Sequence, residues 1–144
     1  MKKYFFVFVC FLTACRFSQI TVNNEKDKKD AENVVAGFYS LLSEKKVDSA
    51  MLIFHPSLLA ANDPVKLKDF LNNISAQSVA LTDRKLDHWD SKCVKGLDGG
   101  STYSLYYVNH YQGGQELKVS IHLSKDDQDN IKISGLQMSP DKFQ

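Results

Sequence analysis

The residues Thr102-Tyr-Ser-Leu-Tyr-Tyr-Val-Asn-His-Tyr-Gln112, Gly113-Gly114 and Gln115-Glu-Leu-Lys-Val-Ser-Ile-His-Leu-Ser124 decide how this chain folds. In the last segment Leu117, Val119, Ile121 and Leu123 alternate with Glu116, Lys118, Ser120 and His122. A period of two puts the first set on one face of a β-strand and the second set on the other. Thr102–Gln112, rich in tyrosine, reads as a second strand. The two glycines between them suit a two-residue hairpin turn, which needs positive φ angles. With that loop Tyr111 faces Glu116 and Val108 faces Val119. Tyr106, Val108, His110, Val119 and Ile121 then share the face toward the helices, and Tyr103, Leu105, Tyr107 and Tyr111 share the other. One extra residue in the connection reverses the assignment, because successive side chains alternate.

Downstream, Asp126–Asn130 reads as a turn and Asn130–Met138 as the next strand. The apolar phase of that strand slips between Ile133 and Leu136, so a bulge is expected near Gly135. Upstream, Arg84–Val94 reads as a strand, and before it the period becomes helical. Ala31, Val34, Val35, Phe38, Leu41 and Leu42 fall on one face of a helix. Asp27 or Asp30 at its start and Lys45 and Lys46 near its end complement the helix dipole. A short helix over Val47–Phe54 is expected to stop at Pro56. Asn62-Asp63-Pro64 announces another, with a capping side chain before a proline at the first helical position. Val65, Leu67, Phe70, Leu71 and Ile74 would be its buried stripe. Helices followed by an antiparallel meander define an α+β fold: N-terminal helices packed on a curved, cone-like antiparallel sheet of about four strands.

The first residues are of another kind. Lys2 and Lys3 precede an apolar run, Tyr4–Leu12, of nine residues, far short of the about 20 needed to span a bilayer. The run ends in Leu12-Thr13-Ala14-Cys15, which resembles the lipobox of bacterial lipoproteins. There small side chains fit the peptidase and only a thiol can accept the diacylglycerol thioether. The resemblance implies a signal peptide over residues 1–14, lipid attachment at Cys15 and anchorage to a membrane without spanning it. In lipoproteins of this kind an Asp after the lipidated cysteine retains the protein in the inner membrane. Arg16 in that place implies the periplasmic face of the outer membrane. Residues 15–30 carry no helical apolar stripe and read as the lipidated cysteine with a flexible tether. About 14 residues of such a tether reach roughly 20 Å. Residues 31–144 remain as a single α+β domain.

Composition excludes several classes. The 144 residues carry a formal charge of +1, and Lys2 and Lys3 leave with the leader, so the rest stands at −1. A near-neutral domain has no electrostatic footprint for nucleic acid. Nine Phe, six Tyr and one Trp suit a packed core. Of three cysteines, Cys10 lies in the leader and Cys15 in the lipobox, which leaves Cys93 without an intramolecular disulfide partner. His55, His88, His110 and His122 lack the close pairing of zinc ligands. Asp126-Asp127-Gln128-Asp129-Asn130 lacks the glycine and terminal glutamate of a calcium loop. Asp98-Gly99-Gly100-Ser101 lacks the lysine and following helix of a phosphate loop. No catalytic constellation, metal or cofactor is indicated.

The helix reading Val34-Val-Ala-Gly-Phe-Tyr-Ser-Leu-Leu42, then Asp48-Ser49-Ala50, then the helix at Pro64 and the antiparallel strands, is similar to the nuclear-transport-factor-2-like (cystatin-like) superfamily over about residues 30–140. The resemblance implies a cone-shaped domain whose members bind ligands, dimerise or, in a minority, catalyse. On this basis Phe38, Tyr106 and His110 are the expected pocket, and the face assignment of the hairpin makes Tyr103, Leu105, Tyr107 and Tyr111 an exposed interface suited to a homodimer or an envelope partner. The leading functional expectation is a membrane-anchored, non-catalytic binding or assembly module. The alternative is a small acid–base enzyme, isomerase- or dehydratase-like, using a buried His or Asp in the cone. His110 and the Asp87-His88-Trp89-Asp90 stretch are its candidates.

Overall fold

The computed structural model describes residues 19–95 and 100–140. The lipobox, with Cys10 and Cys15, lies outside them, as do Asp98 and Gly99. Strand β1 (Gln19–Val22) is followed by helices α1 (Glu25–Ser43), α2 (Val47–Met51), α3 (Pro56–Ala61) and α4 (Pro64–Gln77) and a 3-10 turn at Ser78–Ala80. Then come β2 (Leu81–Lys95), β3 (Ser101–Tyr111), β4 (Glu116–Lys125) and β5 (Ile131–Pro140). The fold is α+β, as the sequence indicates, with the helices set against one antiparallel sheet of five strands in the order β1-β2-β3-β4-β5.

The fifth strand comes from the segment expected to be a tether, and this is a correction. Gln19–Val22 pairs with Lys95–Lys92 along the edge of β2. Asn24 then caps α1, its side chain accepting the Lys26 N–H at 2.8 Å. Glu25 and Asp27 stand in the first turn of that helix, where the dipole favours acids. Charged residues without an apolar stripe can extend a helix whose later turns are held by packing. Here Ala31, Val35, Phe38, Tyr39 and Leu42 supply that packing.

Asp63 caps α4 as its sequence announces, accepting from the Val65 N–H at 2.8 Å. Leu71 and Ile74 are buried, whereas Val65 in the first turn and Phe70 are exposed, which corrects the expected stripe at those two positions. Pro56 opens helix α3 instead of ending the chain's helical run. Its missing N–H is harmless at the first helical position, and His55 caps the turn by accepting from the Ser57 N–H at 3.2 Å.

The hairpin loop decides the sheet's faces. The Tyr111 N–H donates to the Gln115 carbonyl at 2.8 Å, and the Gly114 N–H donates back to Tyr111 at 3.2 Å. Gln112, Gly113 and Gly114 therefore form a three-residue loop, with φ of 89° and 79° at the two glycines. The register becomes Tyr107↔Val119, Leu105↔Ile121 and Tyr103↔Leu123. This reverses the expected faces of β3. Tyr103, Leu105 and Tyr107 are buried against the helices with Val119, Ile121 and Leu123, while Tyr106, Val108 and His110 look outward. In β4 the alternation of the sequence stands as read.

The expected slip in β5 is present. His122 pairs with Gly135 and Leu123 with Ile133, which leaves Ser134 as the bulged residue. A similar shift frees Asp87 in β2. Beside Ile133 the chain before α3 caps the edge. His55 N–H donates to the Ile133 carbonyl at 2.8 Å, and Ile133 N–H donates to Ile53 at 2.9 Å. Phe38, Phe54, Leu42, Leu71, Leu105, Ile121, Leu123 and Ile133 are fully buried between the layers. Each such side chain contributes about 1.5–3 kcal/mol relative to exposure.

Candidate functional site

The densest unusual chemistry lies where α1 crosses β2 and β3. Arg84 of β2 pairs with Asn109 of β3, and both point toward the helices. The Arg84 Nε–H donates to Asn109 Oδ1 at 3.2 Å, and the Asn109 amide donates to the Tyr111 hydroxyl at 3.4 Å. The guanidinium carbon of Arg84 lies 3.3 Å from the centroid of the Tyr39 ring, a stacked cation–π contact. Among the described residues Arg84 makes this one side-chain hydrogen bond, and no carboxylate lies within ion-pairing distance of it. Burial lowers its pKa, while Tyr39, Tyr107 and Tyr111 oppose that shift.

The phenols of this corner respond to the same burial. Tyr39 is 7% exposed and its hydroxyl lacks a hydrogen bond of good geometry, with the Asn109 side chain near enough to act on it. A buried donor left so costs roughly 1–3 kcal/mol. Burial pushes the Tyr39 hydroxyl up to about 12, against the pull of Arg84. Tyr107 is pushed up to about 12 by burial and then by the charge of Glu32 on α1. These groups are neutral hydrogen-bond donors at neutral pH, held around a half-buried cation.

The outer face of the sheet carries a second constellation. Tyr106 stacks beside His88, centroids 5.0 Å apart, and meets His122 edge-on at 6.1 Å. Ser104 and His122 Nδ1 are 2.9 Å apart, and His88 lies 3.3 Å from Asp90. An open cleft of 510 Å³ runs beside Tyr106, between Asp87 and Gln137. A polar cleft of 620 Å³ lies at the other end of the sheet, between β1, the start of α1 and the β4–β5 turn. Its charges are matched locally, Lys26 with Asp30 at 3.6 Å and Lys125 with Asp129 at 2.7 Å, and such exposed pairs contribute little. Cys93 borders this cleft as a buried free thiol. Burial and then the Cys93 thiol raise the pKa of Tyr103 beside it.

The expected pocket residues are not brought together. Phe38 is in the core, whereas Tyr106 and His110 are on the opposite face, the latter 2.9 Å from Glu116. The expected interface is likewise corrected: Tyr103, Leu105 and Tyr107 are covered by the helices, and Tyr111 is half-buried with its hydroxyl on Asn109. His88, Asp87 and Asp90 are exposed on the sheet's outer side, and Trp89 packs inward under Lys28 of α1, 5.4 Å from its ring. Asp126 closes the β4–β5 turn, accepting from the Asn130 and Gln128 N–H groups at 2.9 Å each, and the Asn130 N–H foremost holds its carboxyl below the usual range. Among the described residues no three His, Cys, Asp or Glu side chains could hold a metal ion, and no helix is long and apolar enough to cross a membrane. Sequence reasoning missed Arg84, Asn109 and Tyr39. Arg84 and Asn109 are 25 residues apart and meet through strand register alone. No protein-family model, curated protein or solved structure matches the chain.

Proposed function

We propose that this chain is a lipid-anchored cell-envelope protein whose nuclear-transport-factor-2-like domain binds or assembles with other molecules without catalysing a reaction. The anchor reading is supported by the order of features from Lys2 to Cys15, and Arg16 favours the periplasmic face of the outer membrane. The non-catalytic reading is carried by one observation: the space between helices and sheet is filled by Phe38, Phe54, Leu105, Ile121 and Ile133. The buried polar side chains among the described residues are Ser75, Ser91, Ser101 and Asn109. Acid–base chemistry of the isomerase or dehydratase kind needs a tuned His or Asp inside the cavity that holds the substrate. The described histidines and aspartates lie outside this interior, and the phenols within it hold their protons.

Gln19 is already in β1, four residues after Cys15. Extended chain of that length spans at most about 14 Å. A lipid on Cys15 would therefore hold β1 close to the headgroups, and Ile20 and Val22 on this strand are 55% and 64% exposed. The test is to express the full chain and Cys15→Ser in bacteria fed a labelled fatty acid. The native chain is expected to take the label and sediment with membranes, and the variant to do neither. A Cys15→Ser chain that still sediments with membranes at the same processed mass would overturn the anchor.

A further inference from the structure

We propose that the corner formed by Arg84, Tyr39 and Tyr111 is a binding site for a small carboxylate ligand. The proposal rests on the binding reading above and gives it a ligand class, but it is independent of the lipid anchor. Three observations carry it. First, a half-buried guanidinium without a carboxylate partner is unusual, because partly desolvated charges are ordinarily paired. Among the described residues Arg84 has no such partner, and only its Nε–H is engaged, by Asn109.

Second, the Tyr39 hydroxyl is a buried donor without a well-formed hydrogen bond. The ring that carries it lies under the guanidinium at 3.3 Å, so its phenol oxygen sits beside the same corner. Third, the guanidinium is pre-oriented. Asn109, 1% exposed, holds Nε, and the Tyr39 ring backs the guanidinium at 3.3 Å. What remains is the Nη edge of a planar fork, which matches the two oxygens of a carboxylate.

The surroundings select within anions. One arginine stands against aromatic rings, and Glu32 lies close enough to raise the pKa of Tyr107 at the same corner. A dianion such as phosphate would meet that negative charge with a single cation to offset it. A monocarboxylate with an apolar body would place its charge on Arg84 and its body against Tyr111, the half-buried ring of the corner.

Benzoate tests this, titrated into the full mature protein in detergent at constant ionic strength, with benzyl alcohol as its uncharged counterpart and inorganic phosphate as the dianion. Benzoate is expected to give saturable heat and a rise in Tm with a Kd of roughly millimolar order, as befits so few atoms. Benzyl alcohol and phosphate are expected to give neither. Arg84→Gln should weaken benzoate at least about tenfold, the loss of a charge-assisted bidentate pair, and Glu32→Gln should tighten it. Equal responses to benzoate and benzyl alcohol, or an Arg84→Gln chain that binds as the native one does, would sink the proposal. If Arg84→Gln does not fold, Arg84→Lys decides: it keeps the charge and loses the planar fork, and unchanged affinity there counts against the site. Failure of benzoate to bind while Cys15 remains lipidated removes this ligand class and leaves the anchor standing.

Discussion

At the scale of single residues, tyrosine burial sets the alkaline limit of the fold. Tyr39 and Tyr107 are raised to about 12, chiefly by burial, from the ordinary phenol value near 10. A raised pKa means the folded state holds the proton more tightly than the unfolded chain does. The stabilisation is therefore complete below pH about 10 and is lost as pH rises through about 12. Near-UV circular dichroism should show cooperative loss of structure in that interval. Tyr39→Phe is expected to move the transition upward, because it removes one ionisation and also a buried hydroxyl without a proper partner. An unchanged transition would mean that Tyr39 ionises without opposing the fold.

At the scale of elements, glycine does two opposite jobs in this chain. Gly113 sits in the β3–β4 loop at φ 89°, a conformation that side chains rarely adopt. Gly113→Ala should cost about 1–2 kcal/mol in urea unfolding, through left-handed backbone strain. Gly37 lies within α1, where a Cβ would meet nothing within 4 Å. Gly37→Ala should stabilise by about 0.5–1 kcal/mol, since the helix then orders a less flexible residue. The two substitutions add a methyl group each, so opposite signs of the change in stability would isolate the backbone as the cause.

At the scale of the whole molecule, the sheet has two ends with different surroundings. The end at Gln19 and Lys95 also carries the 126–130 turn, and the 112–114 turn marks the other. Arg84 stands 11 residues along β2 from Lys95, roughly 36 Å at the usual strand rise. If Cys15 holds the first end at the bilayer, the Arg84 corner is presented to the aqueous space beyond it. A polarity-sensitive fluorophore checks this in the lipidated protein, placed at Ile20→Cys or Gln112→Cys with Cys93→Ser to leave one thiol in the domain. On reconstitution into phosphatidylethanolamine–phosphatidylglycerol vesicles the emission should shift blue at position 20 and stay unchanged at 112. Equal shifts at both positions would mean that the domain lies flat or tumbles freely.

The sequence by itself determined α1, α4 and the strands from β2 onward, because burial of one helix face or one strand face imposes a period that survives in the residue order, whereas the six-residue α3 buries no residue fully and carries no such period. Asp63-Pro64, the slip at Gly135 and the inward row Val119, Ile121 and Leu123 are each legible in that way. The faces of β3 were not, since the loop holds three residues rather than two, and one residue of register inverts every side chain on the strand. Strand β1 was hidden for a different reason: its four residues gain their structure from the edge of β2, 70 to 76 positions away, and the alternation of Ile20 and Val22 is too short to announce a strand by itself. The Arg84–Asn109–Tyr39 corner depends on both kinds of information. Its members belong to three elements, and only the tertiary register brings a half-buried guanidinium, a buried amide and a buried phenol to one place.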